Sequence, residues 1–124
     1  MTVHIWGRLS SLNVRKVVWA AQETGVAFTR SDAGMAFGVV KTPEYLAMNP
    51  NALVPTLQHN GVIVWDTLAI GEYLNEIKPK AGLLPADVKA RAHCRAISGE
   101  MHSGFASLRG ALPMNIKAHF PQFK

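Results

Sequence analysis

Cysteine is almost absent from this chain. Cys94 is the only one in 124 residues. One thiol forms no disulfide within the chain, and a Cys-x-x-Cys redox centre is excluded. A lone cysteine fits a cytoplasmic setting, and Cys94 reads as a packed helix residue rather than a reactive thiol. Long apolar runs are missing as well. Hydrophobic residues make up 48% of the chain, enough for a core. Nowhere do they gather into the ~20-residue stretch that a membrane helix needs. The first residues enter a strand-like pattern with no charged segment ahead of an apolar one, so no secretory leader is expected.

Acidic residues are scarce too. Eight Asp and Glu stand against 13 Lys and Arg, a net charge of +5. Such an excess favours an anionic ligand. The basic residues are scattered, adjacent only at Arg15-Lys16. No DNA- or RNA-binding motif accompanies them, so nucleic acid is not an expected partner. Five histidines occur, His4, His59, His93, His102 and His119, and none are spaced at i,i+4. No metal site is therefore expected. His102, near Glu100, reads as part of an exposed helix face.

What is present is densest between Asn49 and Tyr73, NPNALVPTLQHNGVIVWDTLAIGEY. Asn49-Pro50-Asn51 makes a turn. Thr56-Leu57 begins a strand, Asn60-Gly61 is a strong hairpin signal, and Val62 to Trp65 is the returning strand. Then the period changes. Asp66-Thr67 supplies N-cap side chains, and Leu68, Ile70, Tyr73, Leu74 and Ile77 recur at helical spacing.

Ahead of this unit, Val3 to Trp6 alternates as a first strand. Ser10 and Ser11 precede a helical stripe of Val14, Val17, Val18 and Ala21, and Gly25 is a helix stop. Val26 to Phe28 reads as a second strand, parallel to the first because a helix joins them. Thr42 caps a short helix with Pro43 at its first position, running to Met48. The order is βαβαββα. After it, Lys78 to Asp87 carries two prolines and a glycine and reads as a linker. A single long helix is expected from Val88 to Leu112, with Ile97, Met101, Phe105, Leu108 and Leu112 along one face.

A Val-Pro before a hairpin, then an acid and a hydroxyl opening a helix eleven residues after the proline, is an informative order. It resembles the glutathione-binding half of the glutathione transferases, with their pattern N-P-x-G-x-V-P-x-L, hairpin, E/D-S/T-x-A-I-x-x-Y-L. The matching residues are Asn49, Pro50, Val54, Pro55, Leu57, Asp66, Thr67, Ala69, Ile70, Tyr73 and Leu74. The resemblance implies an α/β, thioredoxin-like domain over residues 1–78 and a linker over 79–87. Residues 88–124 would be part of an all-helical second domain.

The resemblance also implies glutathione as co-substrate, its sulfur transferred to a hydrophobic electrophile, and a homodimer or higher oligomer. A non-catalytic binding or assembly module on the same fold is the alternative. Ser11 would meet the thiol, since a hydroxyl and a helix N-terminus both favour a thiolate. Ser10 and Asn13 remain open for that role. In many members the catalytic serine lies four residues before a basic one, as Ser11 lies before Arg15. The family's cis bond at Val54-Pro55 would turn the Val54 backbone toward the cysteinyl part. Asp66 and Thr67 would take the ammonium and carboxylate of the γ-glutamyl end. A basic or amide residue often precedes the valine, and Leu53 stands there instead. Arg8 or Lys41 would supply that charge.

Overall fold

The computed structural model describes residues 2–122. Strand β1, Val3–Trp6, is the hub of the sheet. It pairs in parallel with β2, Phe28–Ser31, and antiparallel with β3, Thr56–His59. The hairpin partner β4, Val62–Trp65, closes the order β2-β1-β3-β4. Asn60 and Gly61 both adopt positive φ at the hairpin turn, as the Asn-Gly signal predicts.

Helix α1, Leu12–Thr24, crosses from β1 to β2. Gly25 ends it at φ 69°, the left-handed position that a glycine takes without a Cβ penalty. Helix α2, Pro43–Met48, is capped by Thr42. Helix α3, Thr67–Ile77, follows the hairpin. The expected βαβαββα order is the one observed.

One sheet face is buried under α1 and α3. Val3, Ile5 and Leu57 from the strands meet Val17 and Ala21 of α1 and Ile70 and Leu74 of α3, all essentially without solvent exposure. The period of two along β1 and of 3.6 along α3 thus converge on one layer. Gly7, at the end of β1, lets the start of α1 pack close. A Cβ there would lie 2.4 Å from Val14 Cγ2.

Two expectations need correction. The second strand is displaced toward the C-terminus: Val26 and Ala27 lie outside it, and β2 begins at Phe28. The turn out of α1 occupies those residues, with Thr24 Oγ1 accepting from the Val26 N–H and Val3 N–H bonding the Ala27 carbonyl. Strand pairing with β1 then carries the polar Thr29 and Arg30.

The last helix is not continuous. Helix α4, Val88–Ser103, stops, and a short α5, Ala106–Ala111, follows. Phe105 sits at φ 59° between them. The Arg109 side chain bonds the carbonyls of Met101 and His102, which a continuing helix would have offered to its own backbone. Ile97, Met101, Phe105, Leu108 and Leu112 therefore do not form one straight stripe, and all five are exposed. Within 78–87, Pro79–Ala81 forms a single 3-10 turn and Leu83 packs against the core. Arg95 of α4 meets Glu72 of α3 through two parallel bonds, 2.9 and 3.2 Å, so α4 lies back across α3. That pairing holds the Glu72 carboxyl below its ordinary pKa.

Candidate functional site

Two helix N-termini meet at one end of the molecule. At the first, Ser11 is the N-cap of α1 and is largely buried. Its Oγ accepts from the Val14 N–H at 3.3 Å. A hydroxyl used as acceptor keeps its own proton to donate. Ser10, one residue earlier, is exposed in the preceding turn. The Asn13 side-chain oxygen accepts from Lys16 Nζ at 3.2 Å, and its amide N–H₂ remains a donor. Burial and the nearby Arg109 charge lower the Lys16 pKa, with Asp66 pulling the other way. Arg15 donates its Nε to the Leu9 carbonyl at 2.6 Å, bracing the turn that carries the serines.

At the second N-terminus, Thr67 Oγ1 donates to the Asn13 carbonyl at 3.2 Å. This bond spans 54 residues and ties the start of α3 to the start of α1. Asp66 caps α3, its Oδ2 accepting from Leu68 and Ala69 N–H at 3.1 and 3.2 Å. Its other oxygen, Oδ1, receives His102 Nε2 of α4 at 2.8 Å. Burial works against this carboxylate. The His102 hydrogen bond and the two backbone N–H groups outweigh it and hold the Asp66 carboxyl below its ordinary range.

The third part is the loop ahead of β3. The Val54-Pro55 bond is cis, as expected. Its supports are side chains of α2 and of the C-cap residue that follows it. Tyr45 donates its hydroxyl to the Leu53 carbonyl at 2.6 Å and lies 2.7 Å from Thr56 Oγ1. Asn49 Nδ2 bonds the same two oxygens, each at 3.1 Å. Burial raises the Tyr45 pKa, so this hydroxyl remains a donor.

Of the two candidates for the missing charge near Leu53, Arg8 is the one close to this loop. A Cβ built on Gly34 would lie 2.7 Å from Arg8 Nη1 and 3.5 Å from the Val54 methyls, so Gly34 is sandwiched between them. Lys41 is exposed just before α2 and, among the described residues, bonds nothing in the loop. Beside the paired helix starts a groove of about 740 Å³ opens between α1, α3 and α4, lined by Ala20, Thr67, Leu68, Ile97, Met101 and His102 among others. Among the described residues no three His, Cys, Asp or Glu gather as metal ligands do.

A family model for the N-terminal domain of glutathione S-transferases matches residues 1–76. The chain belongs to the glutathione S-transferase family. Its four-stranded sheet and flanking helices are that family's thioredoxin-like fold. The glutathione S-transferase GstB of Escherichia coli K12 is 39% identical over 74 residues, which are 58% of this chain and 36% of that protein. Mouse maleylacetoacetate isomerase is 40% identical over 78 residues, 63% of this chain and 34% of the relative. Among solved structures, a theta class glutathione S-transferase from Xanthomonas axonopodis pv. citri, with glutathione bound, superposes with a TM-score of 0.80 at 39% identity. It covers 91% of this chain and 56% of its own. The chain thus spans about a third of the length of these curated relatives.

Three residues around these helix starts and the Val54 loop carry a structural part that the sequence reading did not give them. Tyr45 and Asn49 hold the Val54 loop, and His102 holds Asp66. Tyr45 stood inside a short capped helix with no distinguishing local signal, and Asn49 opened the matched pattern only as a turn residue. His102 reaches Asp66 across 36 residues, a contact that no spacing rule anticipates.

Proposed function

We propose that this chain binds glutathione and activates its thiol for transfer to a hydrophobic electrophile. The observation that carries the reading is the Thr67-Asn13 bond, which sets the starts of α1 and α3 side by side. Helix starts attract anions through unpaired N–H groups and the helix dipole. Two such starts suit a ligand with two anionic groups, a thiolate at α1 and a carboxylate at α3. The bound glutathione of the Xanthomonas relative supports the same ligand class.

On this reading the Ser11 hydroxyl donates to the thiolate, with Ser10 and Asn13 as the alternatives. Val54 offers its backbone to the cysteinyl unit beside Pro55. The Thr67 backbone N–H at the α3 start takes the glutamyl carboxylate, since the Thr67 hydroxyl is donated to Asn13 and the Leu68 and Ala69 N–H groups to Asp66, and Asp66 takes the ammonium. Arg8, rather than Lys41, meets the glycyl carboxylate. The electrophile would lie in the groove against Ile97 and Met101. Residues 1–78 act as the glutathione-binding domain, 79–87 as the linker and 88–124 as part of a helical domain, whose last two residues lie outside those described. A cytoplasmic location belongs to the same proposal, and among the described residues no helix is long and apolar enough to cross a membrane.

Calorimetry with glutathione tests the reading. Binding at micromolar to millimolar concentration is expected, and no heat at millimolar glutathione refutes it. Ser11→Ala is expected to lower the thiolate fraction of bound glutathione and leave its affinity nearly unchanged, read by ultraviolet titration of the thiol. An unchanged thiol in Ser11→Ala passes the role to Ser10 or Asn13. An unchanged thiol in all three variants favours the non-catalytic module.

We also infer that the chain pairs with a second copy. Phe105, Leu108 and Leu112 are each more than half exposed at the end of the chain. Covering such side chains stabilises by ~1.5–3 kcal/mol each, and two-fold pairing lets one patch cover itself. A dimer is expected in sedimentation at micromolar concentration, and Phe105→Glu is expected to dissociate it. A monomeric parent chain would refute the pairing.

A further inference from the structure

The Asp66 carboxylate is held by more bonds than a helix cap needs. Oδ2 already satisfies two N–H groups of α3. Oδ1 is engaged separately, by His102 Nε2 at 2.8 Å. Asp66 also sits at φ 75°, a region that L-residues seldom occupy, so its pose depends on side-chain restraint. The remaining His102 nitrogen, Nδ1, is buried and has no partner among the described residues. A buried bare lone pair is tolerated better than a buried unpaired N–H. The network therefore assigns the imidazole proton to Nε2, where it is donated to Asp66.

A carboxylate has about four lone-pair sites. Three are occupied here, and the fourth is left fixed in direction at the start of α3. We propose that His102 is a positioning residue that fixes Asp66 to receive the ammonium of a γ-glutamyl ligand, so that the site selects for a free amino group. This rests on the glutathione-binding reading above. His102 lies outside the 1–76 stretch that the family model matches.

The charges around the pair make the selection necessary. Lys16 of α1 senses the charges of both Arg109 of α5 and Asp66. Glu72 of α3 and Arg95 of α4 are satisfied by each other. An ammonium entering beside such cations needs an anion held in place, and Asp66 is held by the α3 N–H groups and His102. His102 is also the direct tie between α4 and the helix start. Closing α4 onto α3 therefore completes the subsite.

The test compares two ligands on the full chain: glutathione and glutaryl-cysteinyl-glycine, which lacks only the amino group. The parent chain is expected to prefer glutathione. His102→Ala is expected to weaken glutathione binding about tenfold, the size of one charge-assisted bond, and to leave the deamino ligand within about twofold. His102→Gln, whose amide N–H reaches to a similar distance, is expected to restore most of the preference. Circular dichroism of both variants checks that each is folded. A full preference retained in His102→Ala overturns the inference. Equal loss for both ligands also overturns it, because it assigns His102 to docking α4 alone. A parent chain that binds both ligands without preference refutes the ammonium subsite, whereas one that binds neither refutes the glutathione reading itself.

Discussion

Asn49→Ala is expected to lose about 2–4 kcal/mol of stability. Asn49 is 1% exposed and all its polar atoms are used. Nδ2 donates to the Leu53 carbonyl and to Thr56 Oγ1. Oδ1 accepts from the N–H and the side-chain amide of Asn51, at 3.1 and 3.0 Å. A net hydrogen bond contributes ~1 kcal/mol, and groups left buried without one cost ~1–3 kcal/mol. Tyr45 still serves the Leu53 carbonyl in the variant, which keeps the loss below the sum of four bonds. Asn49→Asp is expected to be at least as harmful, since it replaces a donor with a charge facing two acceptors. Urea unfolding monitored by tryptophan fluorescence is the measurement. A loss below ~0.5 kcal/mol in Asn49→Ala would mean that water replaces these bonds at little cost.

That network shows where sequence reading runs out. The hairpin, the α3 cap and the α1 stop were legible because Asn-Gly, Asp-Thr and Gly25 act on backbone close to themselves in sequence. Their geometry is decided within a few residues. The cis bond at Val54-Pro55 followed from a pattern match rather than from the residues alone. The supports of that loop were not legible, because Tyr45 and Asn49 act on carbonyls and hydroxyls several residues away. Left-handed backbone at Ala52, Asp66 and Phe105 was equally silent, since none of these is glycine. At Phe105 the consequence was large. A regular helical period continued in the sequence, while Arg109 took the carbonyls the helix needed. The site followed the same division. Ser11, Asp66 and Thr67 announced themselves as caps, whereas Val54 came with the pattern match. His102, a histidine on a polar helix face, acquired its part only when α4 folded back over α3.

The position of that helix start depends in turn on the core beneath it, and there the second large effect is expected. Ile70 lies one turn into α3, with no exposed surface. Its N–H donates to the Asp66 carbonyl at 2.9 Å, so the residue that caps the helix and the residue that anchors it share one turn. Its side chain belongs to the layer formed by Val3, Ile5 and Leu57 of the sheet and Val17 of α1. Ile70→Ala removes buried methyl groups and leaves a cavity, a change that costs ~2–5 kcal/mol. Small domains have only ~5–15 kcal/mol in total, so the unfolding midpoint should fall markedly. Ile70→Val keeps most of the volume and should cost ~0.5–1.5 kcal/mol. Hydrogen exchange supplies the second readout. Amides of α3 should exchange faster in Ile70→Ala than in the parent chain, and those of α3 more than those of β1, because the helix loses its anchor while the sheet keeps its pairing. Glutathione binding should weaken with it, since Asp66 and Thr67 move with the first turn. An Ile70→Ala variant whose midpoint matches that of Ile70→Val would show that the layer collapses to fill the space, and that α3 is held by its other core residue, Leu74.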